Sequence, residues 1–275
     1  MLYDLHTHST ASDGTLSPSE LVRYAVSKGV DVLALTDHDT TNGLKEARDM
    51  AKQAGITLIN GAEISVSWGN TTVHILGLGI DPASNPLQKG LTDLCEFRQW
   101  RAEEIARKLE KAGVPDAMNG ARKYARGGLI SRTHFARYLV ECGKARDIAE
   151  VFKKYLVSGR PGHVAGQWAS LETVVSWIME AGGEAVIAHP ARYKMSATKL
   201  RRLIEEFKAV GGVGLEVGLC NQSANQLRDM AQYARRYSML ASQGSDYHGP
   251  ENPWIDLGKL QALPSGCEPI WAHWS

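Results

Sequence analysis

Hydrophobic positions along the chain alternate between helical periodicity and short continuous runs. In SPSELVRYAVSKG the apolar residues recur on one helix face, Ser17 and Glu20 form a capping-box pattern, and Pro18 occupies the first helical position. Gly29 is typical of the C-terminal end of such a helix. The run DVLALTDHD comes next, and a continuous apolar run of this length predicts a buried strand that ends in polar residues.

The same alternation of strand and helix continues over most of the chain. LKEARDMAKQAG predicts a helix and ITLINGAEI a strand, while alternating residues on both sides of the Gly-Asn pair in ISVSWGNTTVHILGLGI predict a β-hairpin. Further along, helices and strands alternate in the order SLETVVSWIMEAGG, EAVIAHP, ATKLRRLIEEFKAVGG, VGLEVG, NQLRDMAQYARRY and MLASQGSD. Repeated strand–helix units predict a parallel sheet, either open or closed into a barrel.

One stretch interrupts this alternation. After DPASNP the patterns are almost entirely helical, as in LTDLCEFRQWRAEEIARKLEKAG and SRTHFARYLVECG, until the strand–helix units resume. We therefore predict that residues 1–86 and 161–275 form this α/β sheet, open or closed, and that residues 87–160 are a mostly helical insertion.

Composition narrows the class of protein. The chain has 275 residues, 43% of them hydrophobic, and a net charge of +1, so the molecule as a whole does not attract nucleic acid or anionic membranes electrostatically. No run of 18 apolar residues predicts a membrane span, and MLYDLHTHST lacks the basic and apolar regions of a signal peptide. The cysteines Cys95, Cys142, Cys220 and Cys267 are widely spaced, so we expect reduced thiols in a cytoplasmic protein.

Histidines and carboxylates gather at the ends of the predicted strands. Parallel strands of a barrel end at one face, so we expect these side chains to converge there. Imidazole and carboxylate ligands without thiolate suit Mn²⁺, Zn²⁺ or Fe²⁺, and so many ligands suit two or three ions with open positions for water and substrate. The predicted ligands are His6, His8, Asp13, His38, Glu63, His74, His189, Asp246 and His248.

Two aspartates beside His38 have no obvious place in this ligand set. We expect Asp37 to orient a histidine through a hydrogen bond, and Asp39 to cap the helix that follows TTNG.

Six segments together resemble the polymerase-and-histidinol-phosphatase (PHP) superfamily: DLHTHSTASDG, LALTDHDT, GAEIS, HILG, IAHP and GSDYH. The resemblance implies a distorted (βα)₇ barrel with a trinuclear metal site. It implies that one metal is held by His6, His8, Glu63 and Asp246, a second by Glu63, His74 and His189, and a third by Asp13, His38 and His248. Mn²⁺ is the expected metal, and Glu63, His189 and Asp246 are the expected catalytic residues.

The predicted insertion is basic. Residues 96–160 hold 15 Lys or Arg and 8 Asp or Glu, a local excess of seven positive charges, which favours an anionic substrate. GLISRTHFARYL places Arg132 and His134 where a loop enters a helix, with Ser131 or Thr133 as the cap, and such a junction suits phosphate. SGRPGHV places Arg160 in a loop that returns to the barrel.

These two segments resemble one PHP branch, the nucleoside 3′,5′-bisphosphate phosphatases that also act as 5′→3′ exoribonucleases. The resemblance implies that the insertion at residues 87–160 covers the active site. It also implies that Arg132, His134 and Arg160 bind the 5′-phosphate of nucleotide and short oligonucleotide substrates. No obligate protein partner is evident. Three alternatives remain at this point: a phosphatase of the histidinol-phosphate type, a non-catalytic module stabilised by metal, and a metal amidohydrolase, which the lack of a strand-end lysine disfavours.

Overall fold

The computed structural model of the chain describes residues 1–274; Ser275, the last residue of the predicted barrel segment, lies outside them. The strands are β1 (Tyr3–Asp4), β2 (Val32–Leu35), β3 (Thr57–Trp68), β4 (Thr71–Leu78), β5 (Ala169–Ser170), β6 (Glu184–Ile187), β7 (Gly214–Leu219) and β8 (Leu240–Gly244). The α-helices are α1 (Pro18–Ser27), α2 (Leu44–Ala54), α3 (Asn85–Lys111), α4 (Ala117–Arg122), α5 (Arg132–Glu141), α6 (Ile148–Val151), α7 (Leu171–Glu180), α8 (Ala197–Ala209) and α9 (Ala224–Tyr237).

The helix ends follow the capping chemistry of the sequence. At α1, Ser17 and Glu20 make both hydrogen bonds of the capping box, Pro18 is the first helical residue, and Gly29 has φ 75° just past the end. At α5 the cap is Ser131, not Thr133, because the Ser131 side chain accepts the hydrogen bond from the Thr133 backbone N–H. The predicted start of both helices is therefore confirmed.

The strands form a nearly closed barrel in the order β1-β2-β3-β4-β6-β7-β8, with the short β5 paired to β3. A backbone hydrogen bond from Leu5 N to Gln243 O, 3.0 Å long, joins the first strand segment to the last. The sheet is not wholly parallel as the repeated units predicted: β4 runs antiparallel to both β3 and β6. The reason is the predicted hairpin, since the chain reverses at Gly69-Asn70 without a crossover helix.

Two hydrophobic clusters share the long helix α3. Its first half packs Leu87, Leu91 and Leu94 into the core between the barrel and α7, and its second half buries Ile105 and Leu109 in a separate core with α4 and α5. One continuous helix therefore belongs to both parts of the molecule. The division at residues 87 and 160 stays a prediction.

Polar contacts fix the helical segment onto the barrel. Arg98 Nε of α3 donates to Asp39 Oδ2 at 2.5 Å and its Nη2 donates to Ser65 Oγ at 3.0 Å, so a buried ion pair joins α3 to the ends of β2 and β3. At Gly127 a Cβ would lie 2.1 Å from the Thr10 carbonyl oxygen, so only glycine lets the segment between α4 and α5 approach the loop after β1.

Within residues 1–274, no helix combines the length and the apolar character needed to cross a membrane. All four cysteines are free thiols, as the sequence predicted.

Candidate metal centre

The ends of the strands bring the predicted ligands to one face of the barrel. Thr7, just past β1, pairs with Tyr247, just past β8, in a parallel bridge. Because alternate residues of an extended segment share a face, this bridge places His6 and His8 beside Asp246 and His248. His38 forms a similar bridge with Glu63 of β3. His74 lies on β4, His189 follows β6, and Asp13 lies in the loop after β1.

Four ligand atoms converge at the centre of this face. His6 Nε2 lies 3.3 Å from Glu63 Oε2 and 3.4 Å from Asp246 Oδ1, and His8 Nε2 lies 3.2 Å from each of the same two oxygens. All four side chains are buried, with at most 9% of any side chain exposed. Four tetrahedral ligands, each 2.0–2.1 Å from a cation, are separated by about 3.4 Å, so these spacings match a metal site.

Glu63 connects this group to a second one. Its Oε2 faces His6 and His8, while its Oε1 lies 2.8 Å from His74 Nδ1 and 2.9 Å from His189 Nε2. His38 Nδ1 is also 2.9 Å from Oε2, and His38, Glu63 and His74 form a group whose ligand atoms lie within 4.8 Å of one another. The two oxygens of one carboxylate therefore face different sets of histidines.

A third group surrounds Asp13. Its Oδ1 lies 3.2 Å from His248 Nε2 and 3.8 Å from His38 Nε2, and His8 completes the group. The three groups in the structure therefore resemble the predicted assignment, with two differences. His8 and His38 each belong to two groups, and His189 contacts Glu63 without belonging to any of them.

The burial of so many ionisable groups shifts their pKa values strongly. Burial alone lowers the pKa of His8, but the carboxylates of Asp246 and Glu63 outweigh it and raise that pKa to about 10. Burial raises the pKa of Glu63, yet the surrounding histidines hold it well below its usual value. In His74 burial dominates and lowers the pKa to about 4. The nine predicted ligands together form the ligand cluster. The charges within the ligand cluster thus keep its carboxylates ionised, which is the form that binds a cation.

The chemistry of these donors fits divalent cations. Buried ligand atoms of His6, His8, Asp13, His38 and Glu63 have no hydrogen-bond partner among the described residues. A buried polar atom without a partner costs free energy, and coordination of a cation supplies the missing interaction to both nitrogen lone pairs and carboxylate oxygens. This set of side chains could hold the two or three ions that the sequence predicted.

Glu216 is a functional residue that the sequence analysis missed. This fully buried carboxylate on β7 accepts a hydrogen bond from His6 Nδ1 at 3.0 Å and one from the His189 backbone N–H at 2.5 Å. Because the carboxylate can only accept, His6 carries a proton on Nδ1 and presents Nε2 to the other predicted ligands. The sequence feature that could have indicated Glu216 is its position as the only acidic residue in the apolar run VGLEVG.

Arg192 was also missed. It follows the IAHP segment, and its Nη1 donates to Asp246 Oδ2, so a cationic side chain lies at the edge of the ligand cluster. Its side chain is 39% exposed, which leaves the guanidinium accessible from outside.

Asp37 and Asp39 have other roles than those expected. Asp37 accepts hydrogen bonds from Ser9 N, Ser9 Oγ and Ser12 Oγ, so it shapes the loop between His8 and Asp13 and does not contact a histidine. Asp39 is not a helix cap: α2 has Gly43 at that position, and Asp39 pairs with Arg98 and the Ser65 N–H instead. The sequence did not predict these partners, because they lie far from Asp37 and Asp39 along the chain.

The predicted phosphate-binding residues lie in different surroundings. Ser131 Oγ donates to Asp13 Oδ2 at 3.0 Å, so the start of α5 touches the ligand cluster and Arg132 follows directly. His134 is buried and its Nδ1 accepts from the Ser131 backbone N–H, while burial lowers its pKa to about 4, so it is neutral and offers Nε2–H as a donor. Arg160 is exposed, and its side chain makes no hydrogen bond or ion pair with the described residues.

A second arginine near Arg132 completes this area and was missed. Arg101 of α3 is 9% exposed and donates to the Val164 carbonyl from both Nε and Nη2. Burial and then the charges of Arg132 and Arg98 lower the pKa of Arg101 to about 9. Neither Arg101 nor Arg132 has a carboxylate within 4.0 Å among the described residues. One buried and one partly buried guanidinium that repel each other, with no carboxylate in ion-pair contact, favour an anion between them.

A family model described as the PHP domain matches residues 4–217, which run from the end of β1 into β7 and include every predicted ligand except Asp246 and His248. The chain belongs to the PHP family. A 3′,5′-nucleoside bisphosphate phosphatase of Chromobacterium violaceum is 49% identical over 98% of this chain and 94% of its own. The 5′-3′ exoribonuclease Rnm of Escherichia coli is 47% identical over 100% of this chain and 94% of its own.

Two solved structures share the fold of this chain. A chain from Chromobacterium violaceum described as an amidohydrolase, with bound sulfate and no metal, has a TM-score of 0.95 at 48% identity and covers 99% of this chain and 95% of its own. A chain from Bifidobacterium adolescentis, described as a candidate metal-dependent phosphoesterase, has a TM-score of 0.83 at 26% identity and covers 98% of this chain and 92% of its own. The predicted PHP barrel is therefore confirmed.

Proposed function

We propose that this PHP protein is a metal-dependent phosphoesterase with two related reactions. It releases the 3′-phosphate of nucleoside 3′,5′-bisphosphates, and it removes 5′-mononucleotides from short RNA that carries a 5′-phosphate. Relatives of both descriptions share 47–49% of their residues with this chain over nearly its full length, which supports a single site for both reactions.

The nine predicted ligands would hold two or three divalent cations. Mn²⁺ is the proposed metal, with Zn²⁺ and Fe²⁺ as alternatives that suit imidazole and carboxylate donors. When bound, such cations lower the pKa of a water nucleophile and offset negative charge on the phosphoryl oxygens. Glu63 could contact two cations at once, because its two carboxylate oxygens face different sets of histidines. Asp246 and His189 would lie beside the reacting phosphate.

The observation that carries the proposal is the contact between α5 and the ligand cluster. Ser131 donates to Asp13, and the neighbouring, partly buried Arg132 lies close to the buried Arg101, neither with a carboxylate in ion-pair contact. A second phosphate of the substrate would bind this pair while the first lies at the cluster. This arrangement suits a substrate with two phosphates about one nucleoside apart.

One binding mode then explains both reactions. The 5′-phosphate binds Arg132 and Arg101, and the next phosphate along the substrate reaches Glu63 and Asp246. In a bisphosphate nucleotide that next phosphate is terminal and leaves as inorganic phosphate. In 5′-phosphorylated RNA it is the first internucleotide linkage, so a mononucleotide is released. His134, which is neutral, would donate a hydrogen bond from Nε2–H to the 5′-phosphate.

The experiment is phosphate release with Mn²⁺ from adenosine 3′,5′-bisphosphate, adenosine 3′-monophosphate and histidinol phosphate. For Arg132→Ala we expect kcat/KM on the bisphosphate to fall roughly ten- to a hundredfold, because a charge-assisted hydrogen bond contributes about 1.5–3 kcal/mol. Hydrolysis of the 3′-monophosphate, which has no 5′-phosphate, should change little. Preference of the wild type for histidinol phosphate would contradict the proposal.

Two further variants sharpen this assay. Arg101→Ala should resemble Arg132→Ala, and Arg160→Ala tests the remaining predicted phosphate ligand, whose side chain is exposed. Equal losses on the bisphosphate and the monophosphate would mean that these arginines act on the fold or on the chemistry, and the 5′-phosphate assignment would be withdrawn.

A cytoplasmic location is also proposed. Four free cysteines, including the exposed Cys142, are the pattern of a protein in a reducing compartment.

A further inference from the structure

A large cleft opens beside the ligand cluster, between the helices α4 to α6 and the loop of residues 249–255 after β8. We propose that this cleft binds the RNA strand on the 3′ side of the reacting phosphate. The inference rests on the proposed function and extends it, because it assigns a second binding region that only an oligonucleotide can fill.

The position of the cleft is the first argument. Asp246, His248 and Arg192 line its inner end, so it leads directly to the proposed reaction site. Arg101 and Arg132 do not line it, and they lie with the buried side chains around α3. A substrate whose 5′-phosphate binds the two arginines therefore has a separate path for whatever follows the reacting phosphate.

The size of the cleft is the second argument. Its volume is about 1260 Å³, whereas pockets for small ligands typically hold about 300–1,000 Å³. A nucleoside bisphosphate ends at the reacting phosphate and leaves this space empty. A chain of several nucleotides would occupy it.

The lining has the chemistry of a single-strand binding site. Trp254 is 67% exposed on the loop after β8, and Tyr124 lies on the opposite wall, so both walls offer aromatic rings for base stacking. Arg137 is 90% buried and its Nε has no hydrogen-bond partner; the Glu251 carboxylate is 3.7 Å away from its Nη2, beyond hydrogen-bond reach. Arg126 has no carboxylate within 4.0 Å among the described residues.

The charges of the lining set the expected mode of binding. Glu141, Asp147 and Glu251 also face the cleft, so its positive and negative charges are nearly balanced. Recognition would therefore depend on stacking and on a few phosphate contacts, and affinity should depend only weakly on salt, since few counterions are released. An extended basic groove would behave in the opposite way.

The test compares a short and a long substrate in the full chain with Mn²⁺. Trp254→Ala should lower kcat/KM for a 5′-phosphorylated RNA hexamer by about 5- to 150-fold, the loss of one stacked base, and leave adenosine 3′,5′-bisphosphate hydrolysis unchanged. Arg126→Glu should also reduce hexamer cleavage. The matched controls are Trp100→Ala, whose ring is 49% exposed on α3 outside the cleft, and Arg228→Glu on the exposed side of α9.

A second readout does not depend on turnover. Fluorescence anisotropy with a labelled hexamer in the presence of chelator should show weaker binding to Trp254→Ala than to the wild type or to Trp100→Ala. An unchanged hexamer affinity and rate would overturn the inference, as would equal losses on hexamer and bisphosphate. A wild type that does not hydrolyse the bisphosphate would overturn the proposed function instead, and the anisotropy comparison would still decide whether the cleft binds RNA.

Discussion

Single residues at the ligand cluster are held by partners distant in sequence. Glu216 illustrates this best: one carboxylate fixes the imidazole of His6 and the backbone of His189, 210 and 27 residues away along the chain. A histidine whose Nδ1–H is held by a carboxylate presents a fixed and more basic Nε2 to a cation. The ligands were predicted from their positions at the ends of strands. Glu216 was not predicted, because it lies within β7, and the sequence does not show that its side chain points toward the ligands.

The first prediction concerns this supporting contact. Glu216→Gln keeps the size of the side chain but removes the negative charge that His6 Nδ1–H faces, so we expect metal affinity to fall about 10- to 100-fold. Calorimetric titration of metal-free protein with Mn²⁺ measures the change. Glu110→Gln, an exposed position on α3, is the matched control. Equal affinities in Glu216→Gln and Glu110→Gln would show that Glu216 does not position a ligand.

At the scale of elements, the start of α5 does two things at once. Ser131 caps the helix through Thr133 N and holds Asp13 through its hydroxyl. The sequence predicted the cap, since Ser, Arg and Thr precede an amphipathic run, but it gave no indication that the same hydroxyl reaches the loop after β1. That contact joins residues 118 positions apart.

Removal of the Ser131 hydroxyl should therefore have two separable effects. Ser131→Ala should cost about 1 kcal/mol of unfolding free energy, the usual value of an N-cap, and should also weaken Mn²⁺ binding through Asp13. Ser223→Ala removes a capping-box serine from α9 whose side chain bonds only Gln226 and no predicted ligand, and should cost similar stability without loss of metal affinity. Urea unfolding and metal titration check the two effects. Loss of affinity in both variants would mean that general destabilisation, not the Asp13 contact, is responsible.

Most elements could be predicted because their patterns are local. The periodic faces of α1, α8 and α9 and the apolar runs of β2 and β6 depend on residues within a few positions of one another. The two-residue strand β5 could not be predicted, since only its pairing with β3 defines it. The hairpin of β3 and β4 was predicted, but the antiparallel pairing of β4 with β6 was not, because a hairpin pattern does not specify which strand pairs with its second strand.

For the whole molecule, cation binding should contribute to stability. Buried imidazoles and carboxylates face one another across the barrel end, and a ligand that binds only the folded state at about 100 times its Kd adds roughly 2.7 kcal/mol. For a chain of this size that corresponds to a rise in Tm of very roughly 5–10 °C. Thermal unfolding with and without Mn²⁺ measures it. In Glu63→Gln the rise should be much smaller; an equal rise in both proteins would place the stabilising ions elsewhere.

Because α3 is one continuous helix, the distance between its two ends is fixed. Its 27 residues extend about 40 Å, and the Arg98–Asp39 pair holds the helix near its midpoint against the barrel. From Arg98 to the end of the helix is an arm of about 20 Å, so a tilt of 5° would move its tip by less than about 2 Å. Arg101 stands one turn past that anchor. In the proposed function, this rigid attachment keeps the distance between the two phosphate positions constant, whatever the length of the substrate beyond them.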